Sequence, residues 1–212
     1  LGYFYRVANK NMNFHRHIHQ SFELVFVQQG QLLCEIDGQS FAVAANECVL
    51  IFPGQIHAYQ TPCFSKCLLF IFSQDWVQDF YEEVQGKRFS KPICREICLS
   101  QMEQLWRQED NCFLRKAFLY EICGLFYRDC TLVPINQAEF ALANSISLYI
   151  QGHYTSKVTL RDMARALGYH YCYLSDFFNR AFGSGFSQYL NRYRLQYAKY
   201  YLEHTDKPIT EI

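Results

Sequence analysis

Three histidines and a glutamate are spaced so that their side chains could gather around one ligand. His17, His19, Glu23 and Gly30 form H-x-H-x3-E-x6-G, and Pro53-Gly54-x2-His57 follows. Three imidazoles and a carboxylate suit a divalent transition metal. On a strand, residues of like parity share a face, so His17, His19 and Glu23 are expected to point together into an interior, with His57 joining from another strand. Tyr59, two residues after His57, would line the same space. The favoured expectation is a metal-free pocket in which His17, His19, Glu23, His57 and Tyr59 line a ligand site. If a metal binds, its ligands are His17, His19, Glu23 and His57.

The segment carrying these residues reads as β-structure. Residues 1–72 hold short runs rich in Val, Ile and Phe, broken at Gly30, Asp37-Gly38, Ala45-Asn46 and Pro53-Gly54. Asp-Gly between apolar runs is a strong hairpin signal, and such closely spaced turns indicate an all-β barrel or sandwich. The two motifs resemble those of the cupin fold, whose metal site is a His-His-Glu plus His set. The second motif departs from that pattern: proline directly precedes the glycine, Thr61 stands where asparagine is usual, and Asn46 takes the place of the opening glycine.

Residues 73–133 switch to helical period. Trp76, Val77, Phe80, Tyr81 and Val84 form an amphipathic stripe that Ser73 would cap. Leu99 to Gln108 is a second helix, with Met102, Leu105 and Trp106 on one side. Phe113 to Tyr127 is a third, apolar nearly all round, which calls for partners on two sides and so for a homodimer through this region. Val133-Pro134-Ile135-Asn136 reads as a linker.

Residues 137–212 read as all-helical: Gln137 to Gln151, a helix-turn-helix over 159–182, and a long helix from Phe186 to Leu202. Thr159 caps the first motif helix, with Asp162 three residues on as in a capping box. Ala164, Gly168 and Leu174 form A-x3-G-x5-L: a small residue at a helix crossing, a glycine turn and a leucine plug. Met163, Leu167, Phe177 and Phe178 add apolar faces at helical spacing.

This segment resembles the DNA-binding domain of AraC/XylS-type transcription regulators, on Ala164, Gly168, Tyr173-Leu174, Phe178, Gly183, Phe186, Tyr189-Leu190 and Arg194-x3-Ala198. A cupin-like sensor followed by helices is also that family's order. The resemblance implies an α+β multidomain chain: an effector-sensing barrel (1–72), a dimerisation region (73–133) and a DNA-binding domain (137–212). It further implies two helix-turn-helix units. Ile209 to Ile212 aligns with Leu160 to Met163, so the second unit is expected to be cut off at 212, which would weaken DNA binding.

In that arrangement the second motif helix enters the major groove of double-stranded DNA. Its expected base contacts are Tyr171, Cys172, Ser175, Asp176 and Asn179. By the resemblance, Cys172, Ser175 and Asp176 are the base-reading positions, though an acidic group there also repels phosphate. Lys157, Arg161, Arg180 and Arg192 are candidate phosphate contacts. Arg194 is a candidate for pairing inside the domain instead.

Composition bounds the rest. Of 212 residues, half are apolar and the formal net charge is zero, so no global basic signal marks a nucleic-acid partner. The charge splits weakly: residues 1–135 hold 12 Lys+Arg against 14 Asp+Glu, residues 136–212 hold 8 against 6. Ten cysteines without a C-x2-C pair read as reduced, mostly buried residues of a cytoplasmic protein. Cys63/Cys67 and Cys94/Cys98 would be neighbours if helical. No signal peptide or membrane-spanning run is present, so no membrane partner is expected. The expected function is sequence-specific transcription regulation controlled by an effector, with no catalysis and no cofactor. A sugar is one candidate effector, and RNA polymerase a further candidate partner. The alternative is a metal-dependent cupin enzyme, an oxygenase or isomerase, which leaves the last 70 or so residues without a role.

Overall fold

The computed structural model describes residues 2–97, 99–107, 111–205 and 208–211, with Leu99, Gln101, Leu105, Trp106, Tyr200, Glu203, His204 and Thr210 described by backbone alone. Cys98, Gln108, Ile212 and the side chains of Leu105 and Trp106, all used above, therefore lie outside the description. The chain divides into two compact units, Leu1–Phe140 and Ala141–Ile212.

The first unit is built on antiparallel strands: β1 (Phe4–Lys10), β2 (Phe14–His17), β3 (Phe22–Ile36), β4 (Gln39–Ala44), β5 (Cys48–Ile51), β6 (His57–Gln60) and β7 (Ser65–Phe72). A 3-10 turn (Gln74–Trp76) and helix α1 (Gln78–Val84) follow, then β8 (Lys87–Phe89), β9 (Ile93–Cys94), α2 (Leu99–Arg107), α3 (Cys112–Asp129) and β10 (Leu132–Pro134). Strand β3 organises the sheet. Its first half pairs with β5 and β7, and its second half with β4 and β6.

Gly30 therefore bends β3 rather than ending it, contrary to the break expected there. It has φ 76°, and a Cβ at this position would stand 2.1 Å from the Phe64 carbonyl oxygen. Only glycine fits both the angle and the approach. The pairing path runs β1-β7-β3-β5-β9, with β4 and β6-β2 on the far half of β3. Its ends do not meet among the described residues, so the expected barrel is a folded, open sheet. Asp37 (φ 49°) and Gly38 (φ 78°) form the two-residue turn between β3 and β4, the geometry that a type I′ hairpin demands. Asn46 has φ 66°. Asparagine tolerates the left-handed region, so it can serve where related motifs use glycine.

Both faces of the first half of β3 are buried. Phe22, Leu24 and Phe26 join a core with Phe70, Phe72, Trp76, Phe80, Leu119, Ile122 and Phe126. The helices thus pack on the outer face of the sheet and share its core. Val25 and Val27 face the other way, into a second cluster with Leu32, Ile36, Val43 and Tyr59 between the sheet halves.

Several local expectations change. Ser73 makes no side-chain cap; its hydroxyl donates to Asp75 Oδ2 at 3.2 Å. The expected first helix is a 3-10 turn followed by α1, with Trp76, Val77, Phe80 and Val84 buried as the stripe requires. The expected linker holds β10, which pairs with β8. Cys67 lies on β7 and Cys63 in the preceding turn, so helical spacing does not apply to that pair. Cys34, Cys48, Cys67, Cys94 and Cys123 are free and buried, whereas Cys63 and Cys172 are free and exposed. Helix α3 buries Leu119, Ile122, Cys123 and Phe126 and exposes Phe113, Leu114 and Tyr127.

The second unit consists of most of α4 (Gln137–His153), then α5 (Leu160–Leu167), α6 (Tyr171–Phe182), α7 (Phe186–His204) and a 3-10 turn at Ile209–Glu211. Its core joins Met163, Ala164, Leu174, Phe178, Phe186, Tyr189 and Leu190, all buried. No described helix of the chain is long and apolar enough to cross a membrane.

Candidate functional site

Two sites can be built from these elements. The first lies at one end of the space between the sheet halves. His17 ends β2, His57 begins β6 opposite it in register, and Glu23 is the second residue of β3. His19 sits in the turn between β2 and β3, not on a strand. The expectation that parity along one strand aligns His17, His19 and Glu23 is thus corrected. They converge because the chain reverses between them, and Glu23 shares its inward face with Val25 and Val27.

The four side chains meet closely. One ligating atom from each of His17, His19, Glu23 and His57 lies within 4.8 Å of the others. His19 Nε2 is 2.8 Å from Glu23 Oε2, and His57 Nε2 is 3.6 Å from the same oxygen. The His17 and His57 ring centroids are 4.1 Å apart. Tyr59 donates its hydroxyl to the other carboxylate oxygen, Oε1, at 2.6 Å. The structure therefore brings together all five residues expected at the effector site.

Backbone anchors set the ring orientations. His17 Nδ1 donates to the His15 carbonyl at 2.9 Å, and His57 Nδ1 donates to the Gln55 carbonyl at 3.0 Å. Each anchor turns Nε2 inward, toward the cluster. His57 Nε2 is buried and has no hydrogen-bond partner. His19 is arranged the other way: the Ser21 N–H approaches its Nδ1 at 3.4 Å, so Nε2 carries the proton shared with Glu23.

Electrostatics follow from this packing. Burial, helped by neighbouring His57, lowers the His17 pKa to about 3, so the ring is neutral. Burial pushes the Glu23 carboxyl up, but its contacts with His19 and His57 outweigh this and hold it well below the usual carboxylate range. The Tyr59 hydroxyl is pushed well up by burial and by Glu23, so it stays a donor. The result is an ionised, nearly fully buried carboxylate beside a neutral His17 ring. Such a donor set fits a divalent transition metal, and it equally offers hydrogen bonds to a polar ligand.

The second site is the α5–α6 pair. Thr159 Oγ1 accepts from the Asp162 N–H at 3.2 Å, while Asp162 Oδ2 accepts from the Thr159 N–H at 3.0 Å. The capping box read from the sequence is therefore formed. Gly168 closes α5 at φ 74°, and the following Tyr169 N–H donates to the Ala164 carbonyl at 2.9 Å, a Schellman-type stop. His170 caps α6 through its Nδ1, which accepts from the Cys172 N–H at 3.4 Å. With Leu174, Phe177 and Phe178 buried, Phe178 against Phe186 and Tyr189 of α7, the opposite face of α6 is open. Tyr171, Cys172, Asp176 and Asn179 are exposed there, and Ser175 is half-buried.

Of the basic candidates, Lys157, Arg161 and Arg180 are exposed. Arg161 lies 5.6 Å from the centre of the Tyr171 ring. Arg192 is half-buried, its Nε donating to the Gln188 carbonyl at 3.4 Å. Arg194 is structural: its guanidinium donates to the carbonyls of Tyr154 at 2.6 Å and Ser156 at 2.7 Å. Tyr169 and Tyr173, exposed and stacked 5.7 Å apart beside the same face, are absent from the contacts expected on sequence grounds. Tyrosines at three alternate positions, 169, 171 and 173, were the available signal.

Comparison with known proteins gives a consistent result. Residues 1–111 match the AraC-like ligand binding domain. The chain is 26% identical to the HTH-type transcriptional regulator YisR of Bacillus subtilis, covering 87% of this chain and 73% of that one. It is 21% identical to the HTH-type transcriptional activator RhaS of Klebsiella pneumoniae, covering 94% and 77%. Among solved structures, apo ToxT K231A of Vibrio cholerae superposes with a TM-score of 0.59 at 15% identity, covering 92% of this chain and 81% of that one. ToxT bound to an unsaturated fatty acid gives 0.60 at 12% identity, covering 97% and 83%. These two likenesses concern the fold.

Proposed function

The chain belongs to the AraC-type family of transcription regulators, and from that membership we propose how its residues divide the work. Helix α6 lies in the major groove of double-stranded DNA, with Tyr171, Cys172, Ser175, Asp176 and Asn179 toward base edges. Lys157, Arg161, Arg180 and Arg192 reach phosphates and set register. The observation that carries this reading is the two-faced α6: Leu174, Phe177 and Phe178 are buried while the face bearing Tyr171, Cys172 and Asp176 is open.

The effector is bound by His17, His19, Glu23, His57 and Tyr59. Polar and ionised groups in a buried site select a polar ligand, because an apolar one would leave them unpaired. A fatty acid, the ligand of one ToxT structure, would set its carboxylate against ionised Glu23. Residues 73–133 supply dimer contacts through Phe113, Leu114 and Tyr127 on α3, the protein works in the cytoplasm, and RNA polymerase is a candidate partner at the promoter. A metal-dependent oxygenase or isomerase would use the same cluster but assign nothing to α5, α6 and α7.

Selection from random double-stranded DNA at low salt tests the proposal. Enrichment of a defined sequence is expected. Binding without any preference, equal for all sequences and removed by moderate salt, would contradict it.

A further inference from the structure

We propose that the first unit carries a second small-molecule site, separate from the histidine cluster, for a compact uncharged aromatic amide, and that filling it changes DNA affinity. The site stands on the geometry of the first unit alone, whereas its effect on DNA rests on the regulator reading above.

The site is a cavity of about 250 Å³ beside the outer core of the sheet. Three chain segments wall it: the stretch after β5 with Phe52, the end of α1 with Tyr81 and Val84, and the lead into α4 with Ile135 and Phe140. Phe52 and Val84 are buried members of the outer core, so the floor is apolar. That volume is small for a ligand site and gives room for about one or two rings.

The walls are fixed before any ligand arrives. Gln55 is buried and its amide is anchored at both ends. Its Oε1 accepts from the Phe52 N–H at 2.8 Å, and its Nε2 donates to Asp37 Oδ2 at 2.8 Å. Across the cavity, the Ile135 N–H donates to the Gly86 carbonyl at 3.1 Å. A Cβ on Gly86 would stand 2.8 Å from Gln137 Nε2, so the turn before β8 and the start of α4 abut.

The polar groups left over define the ligand. The Tyr81 hydroxyl and the Gln85 amide line the cavity without a hydrogen-bond partner among the described residues. Lys87 is exposed at the mouth and already paired: its Nζ donates to the Glu83 carbonyl at 3.0 Å and to Glu83 Oε1 at 3.1 Å. The mouth is therefore electrically balanced, and a ligand carboxylate would meet Glu83 as well as Lys87. A ring suits the walls of Phe52, Tyr81 and Phe140. An uncharged amide offers Tyr81 and Gln85 both a donor and an acceptor.

The position gives the site its consequence. One face of the Pro53-Gly54 turn lines the cavity. From the same turn, the Gly54 N–H donates to the His19 carbonyl at 2.9 Å, and the Gln55 carbonyl accepts from His57 Nδ1 at 3.0 Å. The turn thus supports two members of the histidine cluster. On the opposite wall, Phe140 belongs to the first turn of α4, one helix that continues to His153. A ligand seated between that turn and Phe140 fixes the spacing between the support of the cluster and the root of α4.

The test titrates cinnamamide into the isotope-labelled whole chain, followed by NMR, with cinnamate in parallel. Saturable binding is expected, with NOEs from the ring to the methyl groups of Val84 and Ile135. Cinnamate should bind roughly tenfold more weakly, because its charge faces Glu83. Gln85→Ala and Tyr81→Phe should each weaken cinnamamide roughly threefold to tenfold, the worth of one hydrogen bond. Gln85 is exposed and the Tyr81 substitution keeps its ring, so both variants retain the fold. Saturating cinnamamide should change affinity for the DNA sequence selected above by at least about fivefold. Absence of saturable binding, preference for cinnamate, or NOEs to Val25 and Val27 between the sheet halves instead would overturn the site. Binding at Val84 and Ile135 with unchanged DNA affinity would overturn the coupling. Failure of the chain to select any DNA would refute the regulator reading and the coupling with it, while the NMR result decides the site by itself.

Discussion

Replacing His17 by glutamine should flatten the acid dependence of stability in the metal-free protein. The native His17 pKa is lowered from 6.5 to about 3 by burial and His57. Between those values the unfolded chain binds a proton at this position and the native chain does not. Stability at this site is therefore complete well above pH 6.5 and lost as pH falls below it. One proton corresponds to about 1.4 kcal/mol per pH unit once the unfolded imidazole is fully charged. Integrated from pH 6.5 to 4.5, the loss is about 2 kcal/mol, an upper figure because His17 is half-buried and solvent screens the site. Glu23 acts in the same direction but only below its unfolded value of 4.5, since its native pKa is depressed. The window above pH 4.5 thus isolates the imidazole. Urea unfolding in EDTA, followed by tryptophan fluorescence, reads the right unit, because both tryptophans, Trp76 and Trp106, lie in it. The wild type should lose about 1 M more in urea midpoint than His17→Gln over this range, for a slope near 2 kcal/mol per molar. Parallel pH dependences would refute the burial of a neutral His17.

Three further outcomes are expected. Gly168→Ala should cost about 1–2 kcal/mol, because φ is 74° while nothing lies within 4 Å of the added methyl; thermal unfolding of the helical unit measures it, and an unchanged midpoint would count against the left-handed cap. Leu174→Ala should cost about 2–5 kcal/mol, since Leu174 is fully buried in the α5–α6 core; circular dichroism should show the helices melting earlier. Arg161→Ala should weaken DNA binding about equally for all sequences and lower the salt slope by about 1, as read in binding titrations across salt concentrations.

The helix-turn-helix was legible because its determinants are local. Thr159, Asp162, Ala164, Gly168 and Leu174 act within a few residues of one another, and each cap or turn has a single side-chain requirement. In the sheet, the residues of the site were legible but their supports were not. The order H-x-H-x3-E suggested one strand, whereas the chain turns at His19, which depends on β2 pairing with β6 rather than with β3. Tyr59 was placed in the site, but its bond to Glu23 Oε1 depends on register across β3 and β6. The strand in Leu132–Pro134 and the missing Ser73 cap depend on pairing with β8 and on the 3-10 turn, neither of which leaves a periodic trace. The bend at Gly30 looks like a break in the sequence, which shows the glycine but not that both halves of β3 pair on.

Base reading by α6 is tested most directly by repeating the DNA selection with Ser175→Asn and Asp176→Asn beside the wild type. Each substitution should change the preferred base at one or two adjacent positions of the selected sequence, and leave the remaining positions as they were. Identical selected sequences for all three proteins would contradict the placement of α6 in the major groove.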